Sequence, residues 1–227
     1  MKLQEFLFLN RAKFMPVVPF DKQKESLVQL DFTKDSTSFS EDILQHPELF
    51  AARVDDCVRQ GGGRYGYGGY AEHRTVYSAA RHFNDADGGE PRRLHLGIDI
   101  WGDAGTPVMA PLGGLVHSFA FNNNKGDYGA TIILSHQLED RMFYTLYGHV
   151  SLSDIDSLRK GIYLVAGEVF AHFGKPFENG GWPPHLHFQV IEHLGNYEGD
   201  YPGVCRYSER EKWLANSPDP EVILQMK

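Results

Sequence analysis

The clearest alternation of apolar and polar positions is HLHFQV, residues 185–190. In an extended strand successive side chains point to opposite faces. Leu186, Phe188 and Val190 therefore share one face, and His185, His187 and Gln189 the other. The same period of two recurs over 115–121, 130–135, 142–147 and 167–173, each stretch bounded by Gly, Asn, Asp or Pro clusters. Short connections between these stretches predict antiparallel pairing. A helical period appears earlier. Phe50, Val54, Cys57 and Val58, with Pro47 in the first turn and Gly61 at the end, predict a helix over 47–60. Ser38 and Glu41 just upstream have the spacing of a capping box. Between helix and strands lies QGGGRYGYGGYAEHR, residues 60–74, which reads as a flexible loop or hairpin. Its Tyr65, Tyr67 or Tyr70 is a candidate donor to a substrate carbonyl, because Gly neighbours allow close backbone approach. The pattern thus divides into an N-terminal extension with one helix (1–60), a mainly β domain (61–194) and a packed C-terminal extension (195–227).

Composition narrows the classes. The chain has 227 residues, 41% hydrophobic and 23% charged, which is ordinary for a soluble globular protein. Its formal charge of −8 argues against nucleic acid or an anionic membrane as partner. No run approaches the ~20 apolar residues of a membrane span. The first 20 residues hold only a short apolar run, Phe6 to Leu9, followed by Arg11 and Lys13. That is not a secretory signal, so the expected location is cytoplasmic. Cys57 and Cys205 lie far apart in the sequence and are expected to be reduced thiols.

The chemistry lies in the histidines. His95 stands four residues before Asp99, His149 follows a predicted strand and a Gly, and His185 and His187 alternate. Along a regular strand His95 and Asp99 would be ~13 Å apart, too far to share an ion. Gly97 permits a bend that brings both side chains to one point. An H-x-H pair on one strand face suits zinc, since i and i+2 side chains point the same way. Two His and one Asp would make a three-ligand site with an open fourth position, as in catalytic zinc. Two further histidines would then remain as acid and base. Period two alone does not say whether His185 or His187 is the ligand.

HLGIDIWGDAGTPVMAPLGGLV, then TLYGHVS, then PHLHFQV, together resemble the lysostaphin/LytM type of zinc endopeptidase, which has a glucose-permease-like fold. The resemblance covers about residues 93–192. It implies a compact antiparallel β-fold with a groove over one zinc ion on its floor. Carried across, it makes His95, Asp99 and His187 the metal ligands and His149 and His185 catalytic. The implied reaction is cleavage of a peptide amide by zinc-activated water, with a histidine moving the proton and an imidazole N–H helping zinc to polarise the carbonyl. The family often has Glu where Gln189 stands, and a different approach from ENGGWPP, so the groove near Trp182 departs from the pattern. The flanking text is similar to the peptidase-like module fused to class III aminotransferases. The rival readings are a non-catalytic metal-containing scaffold and a hydrolase of a small amide or lactone. Of the remaining histidines, His117, His136 and His172 are expected to pack or face solvent. His46, His73, His82 and His193 have no partner at metal spacing, and His136 is the first substitute should a ligand fail.

Overall fold

All five stretches of period two are strands. The computed structural model describes residues 1–75, 77, 83–84 and 88–227, with residues 41 and 45 by backbone alone. The strands are β1 (Leu27–Leu30), β2 (Tyr65–Gly68), β3 (Leu94–His95), β4 (Ile98–Trp101), β5 (Pro107–Met109), β6 (Gly114–Asn122), β7 (Gly129–Leu138), β8 (Arg141–Val150), β9 (Tyr163–Leu164), β10 (Val169–His172), β11 (His185–Ile191) and β12 (Val204–Cys205). The helices are short: α1 (Leu3–Leu9), α2 (Glu41–Gln45), α3 (Pro47–Gln60), α4 (Leu152–Ser157), α5 (Arg210–Asn216) and α6 (Glu221–Leu224). Eight strands make one sheet in the order β1-β2-β4-β11-β8-β7-β6-β9, and β5–β10 and β3–β12 form two small antiparallel pairs. The fold is mostly β, as expected.

The stretches of period two all pair antiparallel, as expected, and one pair outside them does not. β1 and β2 run parallel, because α2 and α3 carry the chain back to the same end of the sheet before β2 begins. Parallel neighbours need such a crossover, whereas a short turn can only reverse direction. The helix predicted over 47–60 is α3, with Pro47 in its first turn and Gly61 as its C-cap. The Ser38–Glu41 capping box is not formed. Ser40 caps α2 instead, its hydroxyl accepting from the Ile43 N–H, while the Ser38 N–H donates to Ser36 Oγ and its carbonyl accepts from Arg53 Nε. α3 can lie close against β2 only because Gly66 lacks a side chain. A Cβ there would stand 2.6 Å from Leu30 Cδ1 and 3.0 Å from Val58 Cγ2.

One face of the sheet holds the main core. Ile98, Ile100, Ile132, Leu134, Tyr147, Leu186, Phe188 and Val190 are buried there. Each large side chain fully buried in this way contributes roughly 1.5–3 kcal/mol. Both chain ends join the same cluster, through Leu3, Phe6 and Leu7 of α1 and through Val222, Ile223 and Leu224 of α6. A second cluster, with Phe32, Phe39, Phe50, Val54 and Trp101, fills the space between α3 and the edge of the sheet. Cys57 and Cys205 are free thiols, and burial pushes Cys205 up to about 12. Among the described residues no helix is long and apolar enough to cross a membrane.

Candidate functional site

β4, β11 and β8 lie side by side in the middle of the sheet, and their polar residues meet on the face opposite the main core. Register does most of the placing. His187 of β11 stands directly across from Asp99 of β4 on one side and Gly148 of β8 on the other. His95 ends β3, which pairs with β12 rather than continuing into β4. The chain therefore bends between His95 and Asp99, at Leu96 and Gly97. Gly97 is needed twice over, because a Cβ there would lie 2.6 Å from the His187 ring and 2.8 Å from the Phe188 carbonyl.

The bend brings three atoms together. His187 Nδ1 is 3.0 Å from Asp99 Oδ1 and 3.0 Å from His95 Nε2, and His95 Nε2 is 3.3 Å from Asp99 Oδ1. All three residues are buried. Their outer atoms fix what the inner ones carry. His95 Nδ1 donates to the Gly69 carbonyl at 2.9 Å, which leaves a lone pair on Nε2. Burial, reinforced by nearby Arg74, lowers His95 to about 4 and keeps it neutral. Gln189 donates through Nε2 to the Pro202 carbonyl and to Ser217 Oγ, so its Oε1 faces His187 Nε2 at 3.0 Å. His187 Nε2 therefore bears the proton and Nδ1 the lone pair. Burial opposes ionisation of Asp99, but the Arg74 guanidinium paired with it outweighs that and holds the carboxyl well below its usual range. Arg74 Nη1 donates to the other carboxylate oxygen, Oδ2.

Three acceptors thus converge with no proton among them, which is unfavourable unless a cation lies between. Donors on a tetrahedral zinc ion with bonds near 2.0–2.1 Å sit about 3.3 Å apart, and two neutral imidazoles with one carboxylate are zinc-type donors. Each donor is also oriented by an outer partner, as metal-binding histidines and carboxylates generally are. The residues fit a zinc ion.

His149 and His185 face this triad from β8 and the start of β11. Their ring centroids are 4.0 Å apart, and His149 lies 6.4 Å from His187. Each donates Nδ1–H to a backbone carbonyl, His149 to Asn179 at 2.8 Å and His185 to Pro183 at 2.8 Å. Burial lowers His185 to about 4 and His149 well below its ordinary value. Both are therefore neutral near pH 7 with a lone pair on Nε2, and burial makes each a weaker base than a free imidazole. In the resting site the Nδ1–H groups point at the Asn179 and Pro183 carbonyls, so an imidazole N–H toward a substrate carbonyl arises at Nε2 once that atom has taken a proton. His149 also has φ +63, a left-handed backbone uncommon for a side-chain-bearing residue.

Several groups here escaped the sequence reading. Arg74, Tyr77, Tyr128 and Asn179 all belong to the site or its support. Tyr128 fits its ring 5.1 Å from that of His187, with its hydroxyl 3.5 Å from His187 Nε2. Only glycine at 203 admits that hydroxyl, since a Cβ would lie 1.9 Å from it. The tyrosines expected at the groove rim are elsewhere. Tyr65, Tyr67 and Tyr70 donate to the Pro19 carbonyl, the Glu221 carboxylate and the Ser217 carbonyl, so their hydroxyls are already spent. Segment 60–74 is no loose loop, because β2 runs through its middle with every residue buried. His136 stays outside the site, between the Gly113 carbonyl and Thr145 Oγ1. His82 lies outside the described residues.

The chain is similar to known proteins over this region. It is 35% identical over 99 residues to the DD-carboxypeptidase/endopeptidase Mpg of Neisseria meningitidis serogroup B, covering 43% of this chain and 20% of that protein. It is 27% identical over 148 residues to an L-Ala–D-Glu endopeptidase of Bacillus subtilis, covering 60% of this chain and 43% of that one. The chain thus spans less than half the length of either relative. Among solved structures, the catalytic domain of lysostaphin from Staphylococcus simulans aligns at 24% identity and a TM-score of 0.40, over 59% of this chain and 80% of that domain. The segment that carries His95, Asp99, His149, His185 and His187, residues 93–198, matches the model of Peptidase family M23.

Proposed function

We propose that the chain is a zinc-dependent hydrolase that cleaves a peptide amide bond. The observation that carries this reading is the meeting of three proton-free acceptors, His95 Nε2, Asp99 Oδ1 and His187 Nδ1, beside two neutral imidazoles whose Nε2 atoms are free. In this reading His95, Asp99 and His187 hold one zinc ion. When bound, the ion supplies Lewis acidity and brings the pKa of a coordinated water toward ~7. His149 or His185 accepts the proton of the attacking water at Nε2 and returns it to the leaving amine nitrogen. A neutral base with its other nitrogen anchored performs this transfer without first losing a proton of its own. The imidazole that has taken the water's proton carries an Nε2–H that helps to hold the developing oxyanion until the proton passes to the amine. Residues 61–194 carry this machinery, flanked by 1–60 and 195–227.

The peptidase names of the relatives support a peptide substrate, with glycine-rich and cell-wall-derived peptides as the first to try. A hydrolase of a small amide or lactone would use the same site, so small amides join that panel. The test incubates zinc-loaded protein with such a panel and measures amine release. Release abolished by a chelator and restored by zinc is expected. Stoichiometric zinc with no release from any amide would contradict the enzyme reading and favour a scaffold.

A further inference from the structure

The site continues sideways into a recess walled by aromatic rings. Trp101 stacks on His185 with centroids 3.9 Å apart, and Tyr77 lies 6.5 Å from His95, so the wall starts at the triad's own neighbours. It runs on edge to face. Phe50 meets Trp101 at 5.9 Å and Trp182 at 6.2 Å, while Tyr77 meets Trp182 at 6.3 Å and Phe83 at 4.7 Å. Phe32 lies behind Trp101 at 5.5 Å. These six rings line the same cavity, of about 270 Å³, as Asp99, His149, His185 and His187.

Two features suggest what fills it. A dry cavity of ~150 Å³ already takes a benzene ring, and this partly open one, which spans the histidine site as well as the rings, has room for a ring together with the amide next to it. Tilted and edge-on rings around a void offer an incoming ring the geometry that aromatic pairs prefer. Phe32, Phe50, Tyr77 and Phe83 come from residues 1–92, outside the segment that matches the family, so this chain's own N-terminal part builds most of the wall.

We infer that the recess is a substrate side-chain pocket, selecting an aromatic residue next to the amide that the triad would act on. This rests on the hydrolase reading for the position of that amide. A glycine there would leave the recess empty; Arg74, Arg92, Asp127 and Asp200 also line the cavity, so the rings select by shape and stacking and not by excluding charge.

Binding tests the pocket without turnover. N-acetyl-phenylalaninamide and N-acetyl-glycinamide are titrated calorimetrically into the zinc-loaded full chain. The phenylalanine probe is expected to bind at least fivefold more tightly. That preference should at least halve in Trp182→Ala and persist in Trp182→Phe. Phe83→Ala, which removes another half-buried ring of the wall, gives the same reading should Trp182→Ala not fold. A preference below fivefold, or one left intact by removal of the ring, overturns the inference. The two readings fail separately. Aromatic preference with no hydrolysis of any amide sinks the hydrolase and leaves the pocket. Hydrolysis with equal binding of both probes sinks the pocket and leaves the hydrolase.

Discussion

At the scale of residues, the site is decided by which nitrogen of each histidine holds a proton. His187 is the sharpest case, because Gln189 dictates its tautomer and is itself oriented by the Pro202 carbonyl. Gln189→Leu should leave His187 Nε2–H without an acceptor and weaken zinc binding 10–100-fold, the usual cost of losing such an outer partner. Gln189→Glu keeps the acceptor for His187 but sets an oxygen against the Pro202 carbonyl, so its affinity should lie between that of Gln189→Leu and wild type; competition with a chromophoric chelator measures both. Arg74→Met should strand the carboxylates of Asp99 and Glu72 together, since Arg74 pairs with both. A buried charge left without its partner costs on the order of 3–5 kcal/mol. Bound zinc would restore part of the missing positive charge. Thermal melts of this variant should therefore lie closer to wild type with zinc than with EDTA. The alternation of HLHFQV already put His187 and Gln189 on one face, so this pairing was legible in the sequence. Arg74 and Tyr128 were not, because nothing local links them to positions 99 and 187.

Elements position what residues perform. The five strands with clean alternation were legible because each buries one face in the core while the other takes polar groups. β1 and β2 were not. YGYG is buried at all four positions and has glycine at every second one, so no alternation exists to be read. The segment before β11 was equally opaque, although Asn179 organises it. Its side chain bonds the Gly174 and Trp182 carbonyls and the Trp182 N–H, while its own carbonyl takes the His149 proton. Asn179→Ala should lower kcat at unchanged zinc content, because the side-chain bonds that position the carbonyl under His149 are lost while the metal keeps its donors. β7 carries a pH dependence of its own. Burial depresses His136 to about 4 from 6.5, so the fold holds it neutral while the unfolded chain would protonate it. Stability then rises with pH. The contribution is complete above about 6.5 and is lost as pH falls toward 4, up to about 3 kcal/mol. Urea midpoints at pH 7.5 and 5 should differ less in His136→Gln than in wild type.

The whole molecule is closed by its two ends. Leu7 and Ile223 are buried in the cluster that also contains Leu186 and Phe188, so the flanks are part of the core beneath the site. Leu7→Ala should therefore cost about 2–5 kcal/mol, as deletions of fully buried leucines do, measurable by urea unfolding far from any catalytic group. Alternation within strands was legible, but the sharing of one core by both ends was not, since short apolar runs such as FLFL do not name their partners. The central claim is the division of labour among five residues, and metal content measured beside turnover on five purified variants tests it most directly. His95→Ala, Asp99→Ala and His187→Ala should each lose zinc and activity together, because two remaining donors hold the ion poorly. His149→Ala and His185→Ala should keep one zinc per chain and lose roughly 10²–10⁴ in rate, the worth of a positioned acid or base. A zinc-free His149→Ala protein, a fully active His185→Ala protein, or full zinc occupancy in Asp99→Ala would contradict it.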